Sequence, residues 1–394
     1  MTNISIAIED LGYSKKNSWF TRLFLCPNPY IARYIYAFIF FITSLLAWTV
    51  RDYGHTVLSE LHRLKGCHGA SYCLGTEGVL RISFGCFMYF SVLFVTTVGT
   101  KKIWDARNSW HCEWWLAKML MWMLFMLVPF FMPSEFFFIY GKLAHVGAGT
   151  FLVIQLISVI SFINWLNDCF HSEKYAERCH IQVMIISIVA YVASIVGCIM
   201  MYVWYASKLS CRLNILFITL TLLLLQIMTF VSMHPKVRAG YLSPGLMGAY
   251  IVFLCWCGIR SEPQTEICNQ KVELGNGSDW LTIVSLVIAI LVIVVATFST
   301  GMNSKCLQFV KIERNSEDEV PYGYGFFHFV FAIGSMYFGM LFIGWNVHKT
   351  MQKWTIDVGW ASTWVRVVNE WLAAIVFVWM KLAPLVRKKR TETT

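Results

Sequence analysis

Ten stretches of mostly apolar residues follow one another along the chain, near 31–50, 79–99, 115–132, 134–165, 181–205, 212–233, 245–260, 280–300, 325–345 and 363–385. A helix needs about 20 apolar residues to cross ~30 Å of hydrocarbon at 1.5 Å per residue. Each stretch therefore reads as a membrane span. The longer connections, 51–78, 100–114, 166–180, 261–279, 301–324 and 346–362, are too short to bury cores of their own. The pattern predicts one all-α polytopic membrane domain over residues 1–394, with a polar segment at 1–30 and a basic tail at 386–394. The polar start is too long for a cleavable signal peptide and lacks a small-residue cleavage site, so the first span is expected to be a retained anchor.

The fourth stretch is oversized. From Ser134 to Trp165 it would run about 48 Å as a helix, more than the hydrocarbon thickness. Pro133 and Ser134 make a helix start. Gly147-Ala148-Gly149 in its middle suits either close packing in a long tilted helix or a break at the glycines.

Composition narrows the class. Of 394 residues, 57% are hydrophobic and 14% charged, against roughly 25% charged in an ordinary globular protein. Mean hydropathy is +0.59. With 17 Trp and 30 Phe, the chain is neither disordered nor a soluble enzyme.

Lys and Arg set the expected orientation. Eighteen fall on the side that holds both termini and nine on the other, which places both termini in the cytosol. Loop 261–279 then lies outside with the sequon at Asn276, a glycosylation candidate. Cys67, Cys73 and Cys268 also fall outside, where disulfides are allowed. Cys67 and Cys73 are the disulfide candidates, although spacing alone does not fix connectivity. The net charge of +10 fits topology and anionic cytoplasmic lipid; no nucleic-acid motif accompanies it.

Polar residues on three spans share helical faces. Tyr324, His328, Ser335 and Asn346 lie within about 40° of one line. Ser362, Arg366 and Glu370 share a face of the last span, with Lys381 nearby. Lys142, His145, Gly149 and Asn164 share a face of the fourth. Such stripes line a water-accessible groove or serve as interhelical hydrogen bonds worth ~1 kcal/mol each. Arg366 and Glu370, one turn apart, could also neutralise one another. His328 taken alone reads first as a hydrogen-bonded bundle residue.

Catalytic and nucleotide patterns are missing. There is no HExxH, GxxxxGK[ST], GxSxG or paired CxxC. His111, His171 and His180 fall in loops without a ligand cluster, and most of the 13 Cys read as small apolar residues. No metal, cofactor or ATP-driven step is expected.

Several strings in order resemble the serine incorporator (Serinc, TMS1-like) family. They are Gly78-Val79-Leu80-Arg81-Ile82-Ser83-Phe84-Gly85, then Pro129-Phe130-Phe131-Met132-Pro133, then Gly147-Ala148-Gly149 with Phe151 and Ile154-Gln155. Tyr250, Trp256, Glu262-Pro263 and Cys268-Asn269 follow. Tyr322-Gly323-Tyr324-Gly325-Phe326-Phe327-His328-Phe329 is the closest match, with Trp364-Val365-Arg366 and Ala383-Pro384-Leu385 after it. The resemblance implies ten helices in two bundles with a long diagonal fourth helix. It also implies serine delivery for phosphatidylserine and sphingolipid synthesis, or ATP-independent phospholipid scrambling, in the endomembrane system or plasma membrane. Some animal members restrict enveloped viruses. The chain departs from the animal pattern at Cys26, which has no cysteine cluster around it, at Ser161, at Glu370 and in the short loop 301–324.

The leading expectation is non-enzymatic lipid handling, with Tyr324, His328, Ser335, Arg366, Glu370, Lys142 and His145 as groove candidates and membrane phospholipids as partners. Serine, serine-using lipid-synthesis enzymes and further copies of the chain are the other partners considered. The alternatives are a carrier for serine or another small solute, an intramembrane acyl- or headgroup-transferase using His328 or His145, and a scaffold for lipid-synthesis enzymes.

Overall fold

In hydrocarbon, backbone N–H and C=O groups must pair within their own segment, so each apolar stretch is drawn into a helix. The structure, a computed structural model, describes residues 29–54, 71–171, 176–208, 210–235, 237, 240–263, 268, 280–302, 319–346 and 356–392. The helices are α1 (Pro29–Tyr53), α2 (Ser71–Thr97), α3 (Ala106–Cys112), α4 (Trp115–Leu127) and α5 (Ser134–His171). They continue with α6 (Ala176–Tyr205), α7 (Arg212–Met233), α8 (Leu242–Arg260), α9 (Trp280–Met302), α10 (Tyr324–Phe342) and α11 (Trp360–Glu392). The described residues contain no strand, only an isolated bridge between Lys102 and Glu319. The chain is an all-α membrane protein.

By length and apolar composition, eight of the described helices can cross a membrane, or nine when α3 and α4 count as one span bent by 68°. Counting α9, an apolar helix of 23 residues, as a further span brings the number to the predicted ten. The fourth span is one unbroken helix of 38 residues, about 57 Å long. Its glycines do not break it. A Cβ on Gly147 would fall on the Met336 sulfur of α10, so this glycine serves close packing.

Loop 100–114 holds a helix that the hydrophobic pattern did not show. The Asp105 carboxylate accepts from the Arg107 backbone N–H at 3.1 Å and caps α3. Trp114, at φ 60°, turns the chain into α4. The Lys102–Glu319 bridge and the Val320 N–H to Lys101 carbonyl bond, at 3.1 Å, tie this loop to the approach of α10.

The chain divides into two compact units, residues 1–148 with 287–339 and residues 149–286 with 340–394. In the first unit α1 and α4 pack on α2. Arg81 of α2 is fully buried. It pairs with Glu77 one turn earlier and donates to the carbonyls of Pro129 and, at 2.9 Å, Met132. Its guanidinium lies 4.4 Å from the Phe137 ring centre. α4 ends in a 3-10 turn, Val128–Phe131; its Pro129 carbonyl accepts from the Met132 N–H at 3.2 Å, and Arg81 adds a second donor there and one to the Met132 carbonyl. Ser83 donates to the Ser335 carbonyl and shares a hydrogen bond with the Tyr140 hydroxyl, both at 2.9 Å.

A Cβ on Gly85 would collide with the carbonyl oxygen of Phe125 on α4. Gly85→Ala is therefore expected to cost about 1–3 kcal/mol by overpacking. Gly147→Ala should cost less, since the Met336 side chain can swing away. Thermal unfolding of the two purified variants checks this ordering, and equal midpoints would refute it.

In the second unit α8 is central and packs on α6, α7 and α11. One layer joins Leu156, Leu225, Met247, Ile251 and Phe377. A second joins Cys198, Phe217, Cys255, Ile259 and Val367. Cys211, just before α7, forms a disulfide with Cys268.

Candidate functional site

The bond from Val320 to Lys101 brings the start of α10 beside α3. This juxtaposition makes the most connected polar cluster of the first unit. His111 Nδ1 lies 3.0 Å from His328 Nε2, and His111 Nε2 lies 2.9 Å from the Tyr322 hydroxyl. The His111 ring stacks on Tyr324 at 3.8 Å, and the Tyr324 hydroxyl donates to Asn108 at 2.8 Å. The His111 carbonyl accepts from the Tyr36 hydroxyl and the Lys118 ammonium, both at 2.9 Å. Lys118 also lies 4.2 Å from the Trp115 ring centre.

His328 is fully buried, and its Nδ1 has no hydrogen-bond partner. An unpaired buried N–H is rarer than an underused acceptor. That favours the neutral tautomer in which His328 Nε2–H donates to His111 Nδ1 and His111 Nε2–H donates to Tyr322. Tyr36, Phe90 and Phe327 enclose the His328 ring. The cluster pins α3 and α1 to α10.

The other predicted residues are placed as follows. Tyr324 and Ser335 are buried. Ser335 donates to the Ala332 carbonyl of its own helix at 2.5 Å. Lys142 is exposed, with its ammonium 4.5 Å from the Phe138 ring centre. His145 is half-buried, its Nδ1 2.7 Å from the Gly141 carbonyl. Asn276 and the pairing of Cys67 with Cys73 lie outside the described residues.

In the second unit Arg366 and Glu370 do not pair. Arg366 donates to Asp357 at 2.7 Å, and Trp345 donates to the other Asp357 oxygen at 3.3 Å. Glu370 is fully buried and accepts from Thr221 at 2.7 Å, while its Oε2 has no partner. Lys381 donates to Asn164 at 2.8 Å. Of the polar stripes, His328, Tyr324, Glu370 and Lys381 find partners on other helices, whereas Ser335 and His145 bond within their own.

Sequence reasoning missed His111, Tyr322, Lys118, Asp357 and Thr221. His111 was expected in a loop without a cluster; capping at Asp105 folds that loop and buries the ring. Among the described residues no group of three or more His, Cys, Asp or Glu could hold a metal ion.

A family model described as "Serine incorporator (Serinc)" matches residues 17–314 and 308–390. The chain is 23% identical to a "Probable serine incorporator" of Monosiga brevicollis, covering 91% of each chain. It is 23% identical to "Serine incorporator 3" of Mus musculus over 92% of this chain and 93% of that one. A "Probable serine incorporator" of Dictyostelium discoideum is 26% identical over 79% and 81%.

Proposed function

The chain belongs to the serine incorporator family, and from that membership we propose that it handles membrane lipid without catalysing a reaction itself. It lets phospholipids exchange between leaflets without ATP and supports the supply of serine to phosphatidylserine and sphingolipids. The names of its relatives support the serine part. The observation that carries the lipid part is Lys142. This exposed cation sits on an α5 face otherwise formed by exposed Ile139, Leu143 and Val146, with half-buried His145 one turn away. It lies about 12 Å along the helix from its start. A charge held among lipid-facing apolar residues costs roughly 2.5–3.5 kcal/mol, a cost relieved by snorkelling, thinning of the bilayer or entry of water. Headgroups drawn toward such a cation meet a lower barrier to crossing.

Arg366, whose side chain is 19% exposed and paired with Asp357, offers no such free charge in the second unit. Tyr324, His328, Ser335 and Glu370 are buried, each within its own unit. Both termini are cytosolic in this proposal, within endomembranes or the plasma membrane. Two features support that orientation: the Lys and Arg bias, and the Cys211–Cys268 disulfide, which joins two loops assigned to the outer side.

The test is reconstitution in liposomes with a headgroup-labelled phospholipid and a membrane-impermeant quencher, without ATP. Wild-type protein should expose more than the outer-leaflet half of the label. Lys142→Leu should slow the exchange about tenfold, the equivalent of ~1.4 kcal/mol of barrier. Protection of half the label by folded, inserted wild-type protein would refute constitutive scrambling. Unchanged exchange in the variant would remove Lys142 from it.

A further inference from the structure

Arg51, Arg81 and Arg366 each close an ion pair with a carboxylate. Arg33, in the first turns of α1, pairs with none among the described residues. Its guanidinium lies instead among three rings, 5.0 Å from Tyr30, 4.7 Å from Tyr34 and 5.8 Å from Phe298 of α9. Nη2 donates to the Tyr34 hydroxyl at 2.9 Å, and Nη1 approaches the Met302 sulfur, a weak acceptor, at 3.9 Å. Nε is buried with no acceptor. Of five guanidinium donors, two are engaged, one of them weakly.

The rings keep the charge and hold it beside the ends of the two helices. A long cationic side chain free to snorkel would extend into water; this one is held where α1 begins and α9 ends. Further into each span the surface is apolar and exposed: Phe38 lies one turn beyond Tyr34 on α1, and Val295 and Leu291 lie one and two turns before Phe298, the ring on which Tyr34 stacks, on α9. A planar cation with spare donors stands above an apolar face, all within the first unit.

We propose that Arg33 holds the phosphate of an anionic glycerophospholipid whose acyl chains lie along this α1–α9 face. The guanidinium fork matches two phosphate oxygens. A choline headgroup would bring a second cation beside Arg33, so a zwitterionic lipid binds less well. The site is independent of any leaflet exchange.

Native mass spectrometry of the full purified chain in detergent tests it, with phosphatidylglycerol and phosphatidylcholine titrated separately. Wild-type protein should retain phosphatidylglycerol about tenfold better than Arg33→Gln and better than it retains phosphatidylcholine. Arg33→Lys, which keeps the charge and loses the fork, should fall between; it remains informative where Arg33→Gln fails to fold. Arg107→Gln, which removes an arginine that donates to the Val98 carbonyl, should retain lipid as the wild type does. Inorganic phosphate should not displace the lipid. Equal retention by folded Arg33→Gln or Arg33→Lys and wild type, or equal retention of the two lipids, overturns the proposal. Displacement by inorganic phosphate would reassign the site to a free anion.

Discussion

Arg81→Gln is expected to destabilise the protein by about 3–5 kcal/mol, the cost of breaking a buried ion pair from one side. The wild-type guanidinium satisfies three separate groups: the Glu77 carboxylate and the carbonyls of Pro129 and Met132. Glutamine cannot span all three. The substitution removes the cation beside Glu77 and the guanidinium donors to the Pro129 and Met132 carbonyls at a fully buried position. The contact with the Phe137 ring is lost as well. Arg81→Lys keeps the charge but has no planar fork, so it should fall between. Glu77→Gln should cost less than Arg81→Gln, because the carbonyls keep their donor. Thermal unfolding of the solubilised variants reads these differences. An Arg81→Gln midpoint equal to that of the wild type would disprove the clamp.

Cys211→Ser is the second large effect, at about 4 kcal/mol. Cys211 and Cys268 are 57 residues apart, and closing a loop of that length removes entropy of this order from the unfolded chain. Reductant should lower the unfolding midpoint of the wild type and leave that of the variant unchanged. A midpoint insensitive to reductant in both would show that the bridge adds nothing to stability. A reductant that cannot cross membranes, applied to intact cells carrying the protein at their surface, reports the side. Reduction there agrees with outward loops, and protection would invert the proposed orientation.

Much of this fold is legible in the sequence because hydrocarbon leaves few options. Each apolar stretch of sufficient length lies on a helix, and even the oversized fourth span is visible as an uninterrupted run from Ser134. The pairings are less visible, because they depend on which helices meet. Cys268 was assigned to the outer side, but Cys211, in the short connection between the fifth and sixth spans, was not singled out. Arg366 and Glu370 are one turn apart and suggest a local pair; Asp357, turned back by its positive φ of 56°, takes Arg366 first. His328 was visible as a polar residue on a span, but its partner His111 was not. No hydrophobic periodicity marks the seven-residue helix that carries it. The exposed Lys142 and the ring-bound Arg33 were legible as cations, and their surroundings were not.

The two units interleave along the chain: the first needs residues 1–148 and 287–339, the second 149–286 and 340–394. This fixes an order of events during synthesis. At about 5–20 residues per second, the opening helices wait on the order of ten seconds for the strands of sequence that complete them. In that interval Arg81 can already clamp α4, since both lie in the first segment, while His111 is still without His328. The second unit closes after the first, because α11 follows α10 in the chain. A ribosome that stalls before α10 therefore leaves neither unit complete, and both expose unfinished polar pairs to the membrane quality-control machinery together.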